Sequence, residues 1–120
     1  MFRSRFLWEG VEGDAYGLDI RFFTDKKYLT ALDMTGAVVE VYVEWDGGSW
    51  SDTTDGGNLT FAEAEDEDVL SVVGEIPVAT VNDIAATHGA KAQVRLTELG
   101  KTAKSQIGRF VVRQAARQIN

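Results

Sequence analysis

The chain has 120 residues, of which 44% are hydrophobic and 26% charged, and its formal net charge is −7. This length and composition predict one globular domain, and the acidity argues against nucleic-acid and membrane partners, whose phosphates would repel it. The absence of cysteine excludes disulfides and thiolate zinc sites.

The N-terminal segment, MFRSRFLWEG, has only the apolar run FLW. That run is far shorter than a signal-peptide core or the roughly 20 residues that span a membrane. We therefore expect the chain to begin soluble, in the cytoplasm where it is made. Within this segment RFLWE is a short strand candidate, so residues 1–12 are predicted to be an arm or an edge strand.

Two segments of the first half alternate between apolar and polar residues, which is the pattern of a strand with one buried face. In AYGLDIRFF, Leu18, Ile20 and Phe22 point to one side. In AVVEVYVEW, the residues on one side are Val39, Val41, Val43 and Trp45. Both segments are predicted to be strands.

The second half has two further alternating segments, KAQVRLTEL and SQIGRFVVR, joined at ELGKT. Gly100 supplies the positive φ that such a turn needs, so the two segments are predicted to form a hairpin. Val94, Leu96 and Phe110 are its predicted core residues. Shorter strand candidates are LTF and VVGEIPV.

TVNDIAATHG differs from its neighbours because it favours a short helical turn. Thr80 or Asn82 can cap the turn, and Gly89 can end it. Short strands separated by turn signals, with one helical turn, predict a single all-β domain of seven or eight strands. An antiparallel β-sandwich is the natural way to bury one face of each sheet.

Residues 46–58 contain the acids, hydroxyls and glycines of a calcium loop. Counting from Asp52 places Gly57 sixth and Glu63 twelfth, as an EF-type loop requires. The fifth position is Gly56, which has no side-chain ligand. We therefore predict a long connecting loop, available for contact, and no metal site.

Other candidates for chemistry are sparse. His88 is the chain's single histidine, beside Gly89, and no nucleophile accompanies it. The acidic run at residues 63–68 is typical of a solvated loop. The sequence thus predicts no catalytic residue, no cofactor and no enzyme.

Several short motifs, taken in order, resemble small immunoglobulin-like β-sandwich proteins of tailed-phage virions, in particular the amino-terminal domain of the phage upper-baseplate protein family. The matching residues are Gly13 and Asp14; Leu32, Asp33, Met34, Thr35, Gly36 and Ala37; Gly74, Ile76, Val78, Val81, Ile84 and Gly89; and Gly108, Phe110 and Val112. The resemblance spans residues 13–113, and it departs from the family pattern at Ala90, where the family has an aromatic residue. It implies an immunoglobulin-like sandwich with a C-terminal tail at 114–120.

The ends of the chain combine basic and aromatic residues, which interface centres favour. The predicted interface residues are Phe2, Arg3, Arg5, Phe6, Trp8, Trp50, Arg113 and Arg117. In an otherwise acidic domain, such ends suit contacts with acidic loops of a neighbouring subunit.

The resemblance implies a structural virion component, present in symmetric copies, that binds other phage structural proteins in the tail, baseplate or fibre-attachment region. A capsid decoration protein is the alternative within this class. A carbohydrate-binding module is the alternative from another class, in which Trp50, Trp45 or Tyr42 would stack on a host-surface glycan.

Overall fold

A computed structural model describes residues 5–20, 36–63, 69–98 and 104–114 of the chain. Several predicted features lie outside these ranges, among them the core residue Phe22, the motif residues 32–35, the turn residue Gly100 and residues 115–120 of the predicted tail. The elements are β1 (Arg5–Val11), β2 (Tyr16–Ile20), β3 (Val38–Trp45), β4 (Gly48–Thr53), β5 (Thr60–Glu63), β6 (Val69–Ile76), α1 (Val78–Ala85), β7 (Ala90–Thr97) and β8 (Lys104–Arg113). The predicted all-β sandwich with a single short helix is confirmed.

The strands form two sheets, a five-stranded one of order β1-β8-β7-β3-β4 and a three-stranded one of order β2-β6-β5. The orders β2-β6-β5 and β8-β7-β3-β4 match the two sheets of a variable-type immunoglobulin domain. Alternation along the strands directs one face of each sheet inward. Val39, Val41 and Val43 of β3 are fully buried, as are Val94 and Leu96 of β7.

One strand pair departs from the antiparallel arrangement of the rest of the sandwich, because β1 pairs in parallel with β8. The reason is packing across the two strands. Phe6 and Trp8 of β1 contact each other with ring centroids 4.6 Å apart, and Trp8 meets Phe110 of β8 edge-on at 6.4 Å. Tyr16 completes this aromatic cluster, 4.9 Å from Phe110.

The predicted long loop at 46–58 is wrong in its first half, because residues 48–53 form β4. Trp45 pairs with Gly48, so a two-residue turn at Asp46 and Gly47 closes a β3–β4 hairpin. Gly47 has a φ of 104°. The two-residue turns that favour hairpins need positive φ, which glycine adopts without strain and other residues rarely adopt.

The helical turn is an eight-residue helix, and its start differs from the predicted one. Pro77 precedes the first helical residue, so Thr80 and Asn82 lie inside α1 and cap nothing. The Asn82 side-chain oxygen instead accepts a hydrogen bond of 2.8 Å from the Gly13 amide, which ties the β1–β2 turn to the helix. Val81 and Ile84 are fully buried and close one part of the core.

Candidate interaction surface

The outward-pointing side chains of the five-stranded sheet form one surface, called here the outer face. Strand alternation dictates its membership, because every second residue of each strand is committed to the core. Its members on β1, β3, β7 and β8 are Leu7, Glu9, Val11, Glu40, Tyr42, Glu44, Lys91, Gln93, Arg95, Ile107, Arg109, Val111 and Arg113.

Exposed apolar side chains concentrate on this face. Within the described residues, six large hydrophobic side chains are exposed, and five of them lie here, the sixth being Val78 of α1. Four of the five, on the β1–β8 pair, form what we call the β1–β8 strip: Leu7, Val11, Ile107 and Val111. Leu7 is 58% exposed and Ile107 59%. In the register each of the four stands opposite a charged residue, so apolar and charged side chains alternate on this strand pair. Single exposed apolar residues are ordinary, whereas a group of them makes this surface a candidate interaction site.

The outer face also carries basic charge on an acidic protein. Lys91, Arg95, Arg109 and Arg113 are the Lys and Arg residues whose side chains the structure describes, and all four are on this face. Three of them face carboxylates within the chain. The register sets Glu44 opposite Lys91 and Glu40 opposite Arg95, and Arg113 lies 3.7 Å from Glu9.

Arg109 is the exception. Its neighbours across the sheet are Leu7 and Lys91, and its guanidinium donates to the backbone oxygen of His88 at 3.4 Å. Within the described part of the chain, no carboxylate lies within ion-pair distance of it. A cation surrounded by Leu7, Ile107 and Val111 has the composition of an interface centre, where arginine and apolar side chains are enriched.

Tyr42 extends the outer face toward β4. Its hydroxyl donates a hydrogen bond of 2.6 Å to the Glu40 carboxylate. That bond, with the negative charge of Glu40, raises the pKa of Tyr42 above its ordinary value. The hydrogen bond fixes the direction of the phenol, and the side chain remains exposed.

One end of the outer face opens into a shallow depression of about 430 Å³, between the β3–β4 turn and the start of β7. Its lining brings together an aromatic ring, acids and cations: Trp45, Glu44, Asp46, His88, Lys91 and Arg109. Acidic and basic side chains beside an indole ring provide the hydrogen bonds and the apolar contact that a small polar ligand needs.

The predicted interface residues fall into three groups. Phe6, Trp8 and Trp50 are partly buried and pack against the core, so much of their apolar area is used within the domain. Arg113 is exposed on the outer face, and Arg5 begins β1. Phe2, Arg3 and Arg117 lie outside the described residues.

Leu7, Ile107, Arg109 and Val111 were not among the residues predicted to lie at an interface, although they are exposed on the outer face. A signal for the last three was present, because they alternate with Gly108, Phe110 and Val112 and therefore point away from the core. No comparable signal placed Leu7 next to them, since β1 and β8 are at opposite ends of the chain.

The calcium-like loop has a structural role. One carboxylate oxygen of Asp52 accepts hydrogen bonds of 2.8 Å from the amides of both Thr53 and Asn58. It thereby closes the loop between β4 and β5. No group of three or more potential ligand side chains that could hold a metal occurs among the described residues. The acidic segment 64–68 lies outside them.

Comparison of the chain with protein-family models, with curated proteins and with solved structures finds no match. In the described ranges, no helix has the length and apolar character needed to cross a membrane.

Proposed function

We propose that this protein is a structural component of a tailed-phage virion whose outer face binds a neighbouring virion subunit, in the tail, baseplate or fibre-attachment region. The virion assignment rests on the resemblance of the sequence motifs. The observation that supports subunit binding is the β1–β8 strip with Arg109 among its apolar members, a cation that has no carboxylate within ion-pair distance in the described ranges. The outer face is built on paired strands, so its side chains are held in place before a partner arrives.

The partner that fits this surface is an acidic one with apolar residues of its own. A carboxylate placed against Arg109 would gain a charge-assisted hydrogen bond, and Leu7, Ile107 and Val111 would lose exposed area in the same contact. An architectural role of this kind needs no cofactor and no catalytic group, so the proposal includes no enzymatic activity.

The test is incorporation into particles of the phage that encodes the chain, with tagged variants supplied in trans. Ile107→Glu and Arg109→Glu each place an acid in the β1–β8 strip region, and we expect occupancy to fall at least tenfold. Glu75→Lys is the matched control, because it reverses an exposed charge on the three-stranded sheet. Full occupancy for both strip variants, with unchanged melting temperatures, would refute the proposal.

Imaging of the intact particle distinguishes a position in the tail or baseplate from a position on the capsid. Density for the chain at the tail or baseplate supports the proposal as stated. Density on the capsid shell would instead make it a capsid decoration protein that uses the same surface.

Binding of a host-surface glycan is a second candidate function, favoured by the depression beside Trp45. Asp46 and His88 supply an acceptor and a donor at its rim, and the indole supplies an apolar wall. Of the other predicted stacking residues, Trp50 packs against the core, whereas Tyr42 is exposed. A glycan array with the wild-type chain, followed by Asp46→Ala and His88→Ala, tests this candidate. Binding that both variants leave unchanged would exclude the depression as the site.

A further inference from the structure

The sandwich has four edge strands among the described residues, and they differ in how well they resist pairing with another chain. β5 is only four residues long and has a register shift between Ala62 and Glu63. β4 presents Ser49 and Ser51 outward, and β2 has five residues including Gly17. Short, bulged and polar edges are the usual protections against edge-to-edge association.

β1 is neither short nor bulged, and its outward positions mix charged with apolar residues. It has seven residues, contains no proline, and keeps an unbroken register with β8 along its whole length. Its outward residues Leu7 and Val11 are exposed. In the described part of the chain no strand pairs with its other side. This edge therefore offers backbone donors and acceptors together with apolar side chains.

We propose that β1 pairs with β1 of a second copy of this chain, antiparallel and about a two-fold axis that passes through Leu7. The inference goes beyond the proposed virion role, since it concerns a contact that the isolated protein makes with itself. A two-fold axis perpendicular to the sheet keeps the outer faces of both copies on the same side of the joined sheet. The same residues of each copy then form the contact.

Charge complementarity favours a second copy of this chain as the partner of the β1 edge, with the two-fold axis at Leu7. With the axis at Leu7, each Arg5 stands opposite Glu9 of the second copy, which gives two pairs of opposite charge. An axis at Glu9 would place the two glutamates opposite each other. An axis at Trp8 would set Leu7 opposite Glu9 and leave both charges without an oppositely charged neighbour. Opposite-charge cross-strand pairs stabilise a ladder and like-charge pairs destabilise it.

The pairing would join two five-stranded sheets into one of ten strands. The β1–β8 strips of the two copies would then be adjacent, with the cross-sheet row Arg109–Leu7 of one copy continued by Leu7–Arg109 of the other. The result is a doubled apolar and basic surface with two-fold symmetry.

The absence of cysteine makes a direct test of the register straightforward. In the proposed pair, the two residues at position 7 are direct cross-strand neighbours, about 4.5–5.5 Å apart at Cα, which is within disulfide range. Ile107→Cys is the matched control, because position 107 is equally exposed on β8. Its two copies would lie three strand spacings apart, about 14 Å, and would also be offset along the strands by four residues, about 13 Å. Under mild oxidation we expect a covalent dimer from Leu7→Cys and none from Ile107→Cys.

A charge test on the cysteine-free chain complements the cross-linking. Glu9→Lys should weaken the dimer at least tenfold in sedimentation equilibrium, and the double variant Arg5→Glu/Glu9→Lys should restore it. Arg113→Ala is the control, since it removes the intrachain partner of Glu9 without changing β1. It should leave the dimer unchanged, and melting temperatures verify that each variant is folded.

A wild-type chain that stays monomeric up to about 1 mM overturns the pairing. Cross-linking of Ile107→Cys faster than Leu7→Cys also overturns it, in favour of packing between two outer faces. All of these measurements use the isolated protein. Their failure therefore leaves the virion proposal standing, and failure of particle incorporation leaves the dimer standing.

Discussion

Gly108→Ala is expected to loosen β1 from the rest of the domain. Gly108 pairs with Phe6, and a Cβ built on it would lie 2.3 Å from the Phe6 backbone oxygen and 2.5 Å from its ring. Real Cβ atoms do not approach other atoms so closely. Because the nearest atom belongs to the backbone, a side-chain rotation cannot relieve the clash, and β1 itself must move.

The expected cost follows from that geometry. Added methyl groups in well-packed sites destabilise proteins by about 1–3 kcal/mol, and a clash with backbone belongs at the upper end. Displacement of β1 would also loosen Phe6 and Trp8 from the aromatic cluster around Phe110. We therefore expect a loss of about 2–3 kcal/mol, which for a domain of this size lowers Tm by roughly 8–12 °C.

Denaturant titration and thermal melting of Gly108→Ala would measure this loss, and tryptophan fluorescence would report any new exposure of Trp8. Gly17→Ala is the matched control, because Gly17 is also in a strand but has no atom within 4 Å of a built Cβ. The free energy of unfolding of Gly17→Ala should be unchanged or slightly higher, because alanine restricts the unfolded chain. Equal stability of the two variants would refute the close packing of β1 on β8.

Four further outcomes are expected. Asp52→Ala should cost about 1–2 kcal/mol in denaturant titration, since two backbone amides lose their acceptor. Asp55→Ala should cost little, and a chelator should leave the Tm of wild type unchanged, whereas a drop of several degrees would restore the calcium interpretation. Burial, with a contribution from Glu9, raises the pKa of Tyr16, so the neutral phenol is favoured in the fold. This contribution to stability should be complete below about pH 10 and lost as pH rises through the folded-state pKa. Tyr16→Phe has no phenol to ionise, so denaturation curves should show wild type losing stability relative to this variant in that pH range. Deleting residues 1–8 should lower Tm by more than 10 °C, as loss of Phe6 and Trp8 costs several kcal/mol; a normal melt would mean that β1 is dispensable.

Local pattern determined much of the fold. Period-two alternation is a property of the backbone, so it identified β3, β7 and β8 and the buried faces that contain Val41, Val94 and Phe110. The β3–β4 hairpin was also encoded locally, by Asp46 and Gly47. The sequence did not reveal this hairpin, because aspartate, serine, threonine and glycine are common both in tight turns and in long loops.

Only the tertiary structure determines where the N-terminal strand β1 packs and which of its faces is buried. The alternation in RFLWE shows that Phe6 and Trp8 share one side and Leu7 takes the other, but it cannot say which side is covered. The parallel pairing of β1 with β8 decides it, because Trp8 packs edge-on against Phe110 with Phe6 beside it, and Leu7 is left outside. That pairing joins segments about a hundred residues apart. Its stability comes from packing between them, which neither segment carries alone, so the β1–β8 strip exists only in the folded chain.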